Sequence, residues 1–203
     1  VNAKTEMTFA RGLRAILRQD PDVIMVGEIR DGETARIAVE SAMTGHLVLS
    51  TLHTNTAIGA VSRLIDMGVE RFLLAPMIRG LIAQRLVRKL CPDCRKPHAV
   101  SPSEADLLSG AVEEGAQVFA PDGCDACAGT GYRGRLPIYE IIAMTPKLET
   151  MIHEGASEAM LSREARRTAP GILHDGAEKI RAGLTTVQEV ARAVRDDVFV
   201  EGR

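Results

Sequence analysis

All four cysteines of the chain fall in two Cys-x-x-Cys pairs, Cys91 with Cys94 and Cys124 with Cys127, separated by 29 residues. A two-residue spacing lets both thiolates of a pair reach one tetrahedral ion, and two such knuckles complete a closed site of four sulfurs. The pattern predicts one structural Zn2+ that draws residues 91 and 127 together, whatever folds between them. Arg95, Lys96 and nearby basic residues either offset the negative charge of a four-thiolate centre or are simply solvated. A disulfide framework is the competing reading. It belongs to secreted chains, and no basic-then-apolar leader opens this sequence. A redox pair fits less well, because two pairs are present and neither opens a helix after a strand.

Upstream, hydrophobic periodicity sets out a strand-helix-strand unit. In TFARGLRAILRQ the apolar residues Phe9, Leu13, Ile16 and Leu17 share one helical face, and Asp20-Pro21 ends that helix. A short apolar strand follows, Val23 to Val26, stopped by Gly27-Glu28. Asp31 is a candidate N-cap for a helix over Glu33 to Met43, which Thr44-Gly45 closes. The stretch TGHLVLSTLHTN then carries a second apolar strand with a histidine near each end, His46 and His53. Two apolar strands joined by a helix form a βαβ unit of a buried parallel sheet. Glu28 and His53, each just past the C-terminal end of its strand, are expected at the edge where α/β proteins meet ligands. His46 enters from the opposite edge. For both histidines, local capping remains an open alternative to ligand contact.

Further along, Thr56 to Met67 reads as a helix, and Ile78, Ile82, Leu86 and Leu90 repeat every four residues from Leu74 onward, as in a second long helix running into Cys91. Pro76 is expected in its first turn or at a kink. GYRGRLPIYEII reads as a glycine-punctuated extended segment. Thr145-Pro146 signals a helix start. Two more helices are expected, over Leu173 to Arg181 and from Thr185, with Thr186 and Glu189 as a capping box. The expected organisation is a core over 1–90, a tetracysteine subdomain over 91–132, and an extended segment with a helical lobe over 133–203.

Composition narrows the function classes. A 203-residue chain that is 45% hydrophobic supports a buried core, and a net charge of −2 leaves no global field for nucleic acid or anionic membrane. A local basic zone runs from Arg71 to His98, with seven basic residues against Asp93 alone. A zinc-ribbon module using that zone to contact nucleic acid is one reading. Aromatic residues make up only 3% of the chain and form no stacking cluster, which counts against it. No apolar run approaches the roughly 20 residues of a membrane helix. A soluble, cytosolic chain is expected, and the start at Val1 suggests a piece of something longer.

RQDPDVIMVGEIRD, then TGHLVLSTLHTN, then the paired Cys-x-x-Cys with GTGYRGRLPIYE, resemble in order and content the secretion ATPases of bacterial type II secretion and type IV pilus assembly. GILHDGAEKIRAGLTTVQEVARAVRDD is similar to the C-terminal helical segment of the type II secretion branch, with pilus assembly the alternative. The resemblance implies an α/β fold: the C-terminal part of the parallel sheet of a RecA-like P-loop ATPase core, with a tetracysteine zinc-binding insertion and a small C-terminal helical lobe. It makes VIMVGE the Walker B strand and TGHLVLSTLHTN the histidine box, near the γ-phosphate of ATP. It further implies a homo-hexameric motor at the cytoplasmic face of a bacterial inner membrane. That motor is joined to the membrane only through a secretion platform and loader proteins, and works without nucleic acid.

The residue chemistry agrees with that assignment. Glu28 is placed to orient the attacking water, and His53 can donate to a phosphate oxygen. Thr51, Thr54 and His46 are candidate nucleotide contacts. Arg30 either touches phosphate or pairs only with Glu28. Position 27 is glycine where many Walker B motifs carry an Mg2+-binding aspartate, so contact with Mg2+ is expected through water. No GxxxxGK[ST] occurs in the chain, so the backbone cradle for the phosphates is expected to come from elsewhere.

Overall fold

The computed structural model describes residues 8–195. It divides into two compact units. One runs to Leu81 and includes Ile142–Arg167; the other comprises Ile82–Ile141 and the residues from Thr168 on. The helices expected as one C-terminal lobe are thus shared between the units. Residues 1–7 and 196–203, the ends of the expected first and last domains, lie outside the described residues.

The first unit is built on a βαβ core. Helix α1 (Phe9–Leu17) opens on Thr8, whose side chain accepts from Arg11 N, and buries Ala10 and Leu13. Strand β1 (Val23–Val26) leads into α2 (Gly32–Met43), where Asp31 caps the first turn by accepting from Thr34 N. Gly45, at φ +103°, turns the chain into β2 (Leu47–Ser50). The strands pair in parallel, from Val23 with Leu47 to Val26 with Ser50. Helices α3 (Gly59–Asp66) and α4 (Arg71–Leu74) follow, and α6 (Pro146–His153) and α7 (Glu158–Ala165) complete the unit. Thr145 caps α6 by accepting from Leu148 N.

The sheet departs from the expectation of burial on both faces. Ile24 and Val26 are buried, while Val23, Met25, Leu47 and Leu49 are exposed, Met25 at 75%. Among the described residues this sheet has only two strands, and helices cover one of its faces. Its composition suits the interior of a larger sheet, since a strand meant to keep one face in water alternates apolar with polar residues.

The expected helix from Leu74 to Leu90 is instead the short α4 followed by strand β3 (Gly80–Leu90), hydrogen-bonded to β6 (Tyr132–Ala143). A repeat of four is also a multiple of two, so the same residues satisfy a strand. The parity is reversed between Leu81 and Val87, while Leu90 is buried. Leu81 and Val87 face the core, whereas Ile82, at 67% exposure, and Leu86 point outward. Pairing with a strand some fifty residues downstream decided an ambiguity that local pattern left open.

The second unit places β4 (Lys96–Ala99) antiparallel to β5 (Gln117–Ala120), with α5 (Pro102–Leu107), α8 (Ile172–Arg181) and α9 (Val187–Arg195) around a core of Val87, Val100, Leu108, Val118, Ile138, Ile180 and Val190. At Gly176 an added Cβ would meet Val190 Cγ1 at 2.6 Å, so glycine is what allows α8 and α9 this approach. The capping box expected at Thr186 is only half formed. Thr186 Oγ1 accepts from Glu189 N, but the Glu189 carboxylate turns away to take the backbone N–H and guanidinium of Arg88, each at 2.8 Å, and Arg192 at 3.2 Å. A two-sided box forms instead at α5, between Ser101 and Glu104. Among the described residues no helix is long and apolar enough to cross a membrane.

Candidate functional site

In-register pairing of Val26 with Ser50 makes both strands exit at one edge of the first unit, and there the chain places its charged groups. The exits are stitched together beyond the last rung. Ile29 N donates to Thr51 O at 3.0 Å, and Thr51 Oγ1 donates to Gly27 O at 2.6 Å. Glu28 sits inside that stitch. Its Oε2 accepts from Arg30 Nε at 2.5 Å and meets His53 Nε2 at 3.3 Å. Both contacts fall on one carboxylate oxygen, Oε2. The Arg30 hydrogen bond holds the Glu28 carboxyl below its ordinary 4.5; desolvation opposes this and His53 reinforces it. Glu28 is therefore a carboxylate at neutral pH, with an exposed imidazole and guanidinium beside it.

The other candidates are placed differently. His46 Nδ1 lies 2.9 Å from Ser41 O and 3.1 Å from Thr44 Oγ1, so it closes the end of α2 at the entry of β2. Thr54 Oγ1 donates to Thr56 O at 3.0 Å. The structure thus gathers Glu28, Arg30, His53 and Thr51, and turns Thr54 and His46 to local structure.

One residue escaped the sequence reading. Glu158, in the first turn of α7, accepts from Thr56 Oγ1 at 2.9 Å and Ser62 Oγ at 3.1 Å, while Thr56 Oγ1 itself accepts from Gly59 N. The carboxylate thereby ties the loop after the second histidine to a helix a hundred residues later, and it faces the N-terminus of α3 as well as its own, where negative charge is favoured. Ser157, Glu158 and the Leu161–Ala165 spacing were a readable helix start; the tie to Thr56 was not.

In the second unit the four cysteines meet. Their Sγ atoms all lie within 4.8 Å of one another. Cys91 and Cys124 are 3.9 Å apart, Cys94 and Cys127 3.8 Å, and Cys124 and Cys127 3.7 Å. Four sulfurs around a tetrahedral ion with Zn–S bonds of ~2.3 Å stand roughly 3.8 Å apart, so the donor set fits Zn2+. The knuckles also carry N–H donors for sulfur: Gly123 N to Cys94, and Cys124 N and Gly131 N to Cys127. Gly131 has φ +74°, and a Cβ there would meet Pro121 Cβ at 2.4 Å.

Burial opposes ionisation in this cluster. On Cys127 the N–H groups of Cys124 and Gly131 outweigh it and bring the thiol down to about 6. Cys124, partly desolvated and beside Cys127, is pushed up to about 12, and desolvation also raises Cys94. The first negative charge is welcome and the next are not, until a dication compensates them. The basic neighbours are otherwise engaged. Arg95 stacks on Phe119 and donates to Gly183 O, Lys96 pairs with Asp122, and Arg88 binds Glu189. Three of the seven basic residues of the zone are thus held by partners within the second unit.

Comparison with known proteins places this arrangement in a class. The fold matches that of a pilus motor and of an ATPase of known structure. The pilus retraction motor PilT with bound ADP is 28% identical, with a TM-score of 0.64 over 94% of this chain and 45% of its own. The Legionella pneumophila ATPase DotB has a TM-score of 0.63 over 97% of this chain and 43% of its own; at 23% identity it speaks for the fold alone.

The sequence goes further. Residues 1–192 match the family model of the Type II/IV secretion system proteins, and the chain belongs to that family. The type II secretion system protein E of Pseudomonas aeruginosa is 53% identical, and the type II secretion system ATPase E of Vibrio cholerae 50% identical, each over 97% of this chain. The chain spans 39% of the length of either relative.

Proposed function

We propose that this chain is the Walker B and histidine-box part of an ATP-hydrolysing motor of bacterial type II protein secretion. The observation that carries the reading is the Glu28 carboxylate, held by Arg30 and His53 at the common exit of β1 and β2, in a chain half identical to a relative named a type II secretion system ATPase. In this reading Glu28 orients the attacking water through Oε1, and His53 donates to the γ-phosphate as charge develops there. With its pKa lowered, Glu28 acts by orientation and charge more than by taking the proton away.

When bound, Mg2+ supplies charge neutralisation on the phosphates. The edge itself offers it little. Arg30 occupies one oxygen of Glu28, and both oxygens of Asp31 are committed to Thr34. The phosphate loop and the direct Mg2+ ligands are therefore assigned to residues outside 1–203. Cys91, Cys94, Cys124 and Cys127 would hold a Zn2+ whose contribution is a cross-link rather than a reaction.

The whole motor is read as a homo-hexamer, cytoplasmic and peripheral at the inner membrane, bound there through its secretion platform and loader proteins. The alternative of a pilus motor draws on the likeness to the pilus retraction motor PilT, at lower identity than the type II relatives. Two measurements on the full-length polypeptide test the reading. Glu28→Gln retains ATP affinity while turnover falls by roughly 100-fold or more. In a strain that lacks its own copy, the wild-type gene restores protein secretion rather than pilus assembly. Wild-type turnover by Glu28→Gln, or rescue of pili alone, overturns it.

A further inference from the structure

Thr51 grips both peptide groups that flank Glu28. Its hydroxyl donates to Gly27 O at 2.6 Å, and its carbonyl accepts from Ile29 N at 3.0 Å. Between these two bonds lies the one residue whose carboxylate direction matters to the site. Local packing does not set that direction. A Cβ at Gly27 would meet nothing within 4 Å, so no neighbour crowds the position, and glycine has the greatest backbone freedom of any residue. Gly27 and Glu28 also lie past the last β1–β2 rung, Val26 with Ser50, so the ladder no longer restrains them. The Gly27 carbonyl and the Glu28 N–H belong to one planar unit. A hydrogen bond to that carbonyl therefore fixes the plane from which the Glu28 side chain departs.

From this geometry we propose that Thr51 is a positioning residue for Glu28, and not a nucleotide contact. A hydroxyl has one proton to give. A phosphate oxygen can only accept, and the Thr51 proton is already donated to Gly27. The Thr51 carbonyl is present in every variant, so the hydroxyl is the part of the grip that a side-chain change removes, leaving the Ile29 bond to hold alone. The proposal rests on the ATPase reading for its kinetic consequence, but not for its structural one.

Two variants separate the possibilities. Thr51→Val keeps shape and removes the hydroxyl; Thr51→Ser keeps the hydroxyl and removes a methyl. In the full-length ATPase, Thr51→Val lowers kcat by roughly 10- to 100-fold with KM for ATP within about twofold of wild type, and Thr51→Ser restores kcat to within about threefold. A raised KM with unchanged kcat would identify a nucleotide contact and overturn the proposal, as would full activity of Thr51→Val or failure of serine to rescue. Hydrogen exchange gives a reading independent of catalysis. In the 203-residue chain the Ile29 amide, which donates to Thr51 O, exchanges about tenfold faster in Thr51→Val and at the wild-type rate in Thr51→Ser. Unchanged exchange in the valine variant overturns the proposal even where wild-type ATPase is robust. Absence of wild-type turnover alongside the expected exchange pattern would instead count against the ATPase reading alone.

Discussion

Arg30 Nε lies 2.5 Å from Glu28 Oε2, and this short contact is the largest influence on the acidity of that carboxyl. With its pKa lowered from 4.5, the Glu28 carboxylate persists to lower pH than a free one, and the acid limb of turnover that belongs to it is displaced downward. Arg30→Gln removes the dominant cause, so the limb moves upward in pH. A pH profile of kcat for the two proteins checks this. The same titration assigns Arg30: a shifted limb with unchanged KM marks a partner of Glu28, whereas a raised KM with an unmoved limb marks a phosphate contact.

A second carboxylate supports stability rather than chemistry. Glu189, 2% exposed, is brought down from 4.5 to about 2: burial alone would raise it, but the guanidinium and N–H of Arg88 and then Arg192 outweigh burial. The Arg88 pKa moves the opposite way, raised first by the same bond. A drop of that size corresponds to ~3 kcal/mol of stability at neutral pH. With the folded value depressed, the contribution is complete above the unfolded pKa near 4.5 and is lost as pH falls toward 2. Glu189→Gln is expected to unfold ~3 kcal/mol more easily in urea at pH 7, with the gap to wild type closing as pH drops below 4.5.

How much of this was legible depends on the range of the contacts involved. The β1–α2–β2 unit was readable because strand length, the Asp31 cap and the Gly45 turn are all local signals, and the meeting of Glu28 with His53 follows from parallel topology alone. The four cysteines were readable because ligand spacing is a chemical constraint that holds across any intervening fold. β3 was not, since a four-residue repeat fits both periods and its partner β6 is remote. The destinations of the Glu189 and Glu158 carboxylates were hidden for the same reason: each is settled by a partner about a hundred residues away.

The cysteine cluster predicts one Zn2+ per chain in protein purified without added metal, measured by elemental analysis. Four free thiols with a stoichiometry near zero would contradict it. Metal bound to a closed site is folding energy. Cys124→Ser is accordingly expected to speed amide exchange between Cys91 and Tyr132, while exchange in α2 and β2 stays at wild type. Acidification should weaken binding and release the ion, since protons compete with it for all four thiolates.

The two histidines of TGHLVLSTLHTN answer to different physics, and substituting them should separate catalysis from packing. His46 is fastened at the α2 end by Ser41 O and Thr44 Oγ1, so His46→Ala removes about 1 kcal/mol of hydrogen bonding and lowers the melting temperature by a few degrees. Its effect on kcat is expected to be smaller than that of His53. The His53 side chain is 80% exposed and touches Glu28 at 3.3 Å, so it has little packing to lose. His53→Ala should leave the melting temperature within about a degree of wild type, because isolated exposed pairs contribute little to folding. Turnover in the full-length ATPase should nevertheless fall by ~10- to 100-fold, since a donor aimed at developing charge acts on the transition state. Thermal melts and kcat measured side by side decide the matter. An inactive, well-folded His46→Ala beside an active His53→Ala would reverse the assignment of the two ends of β2.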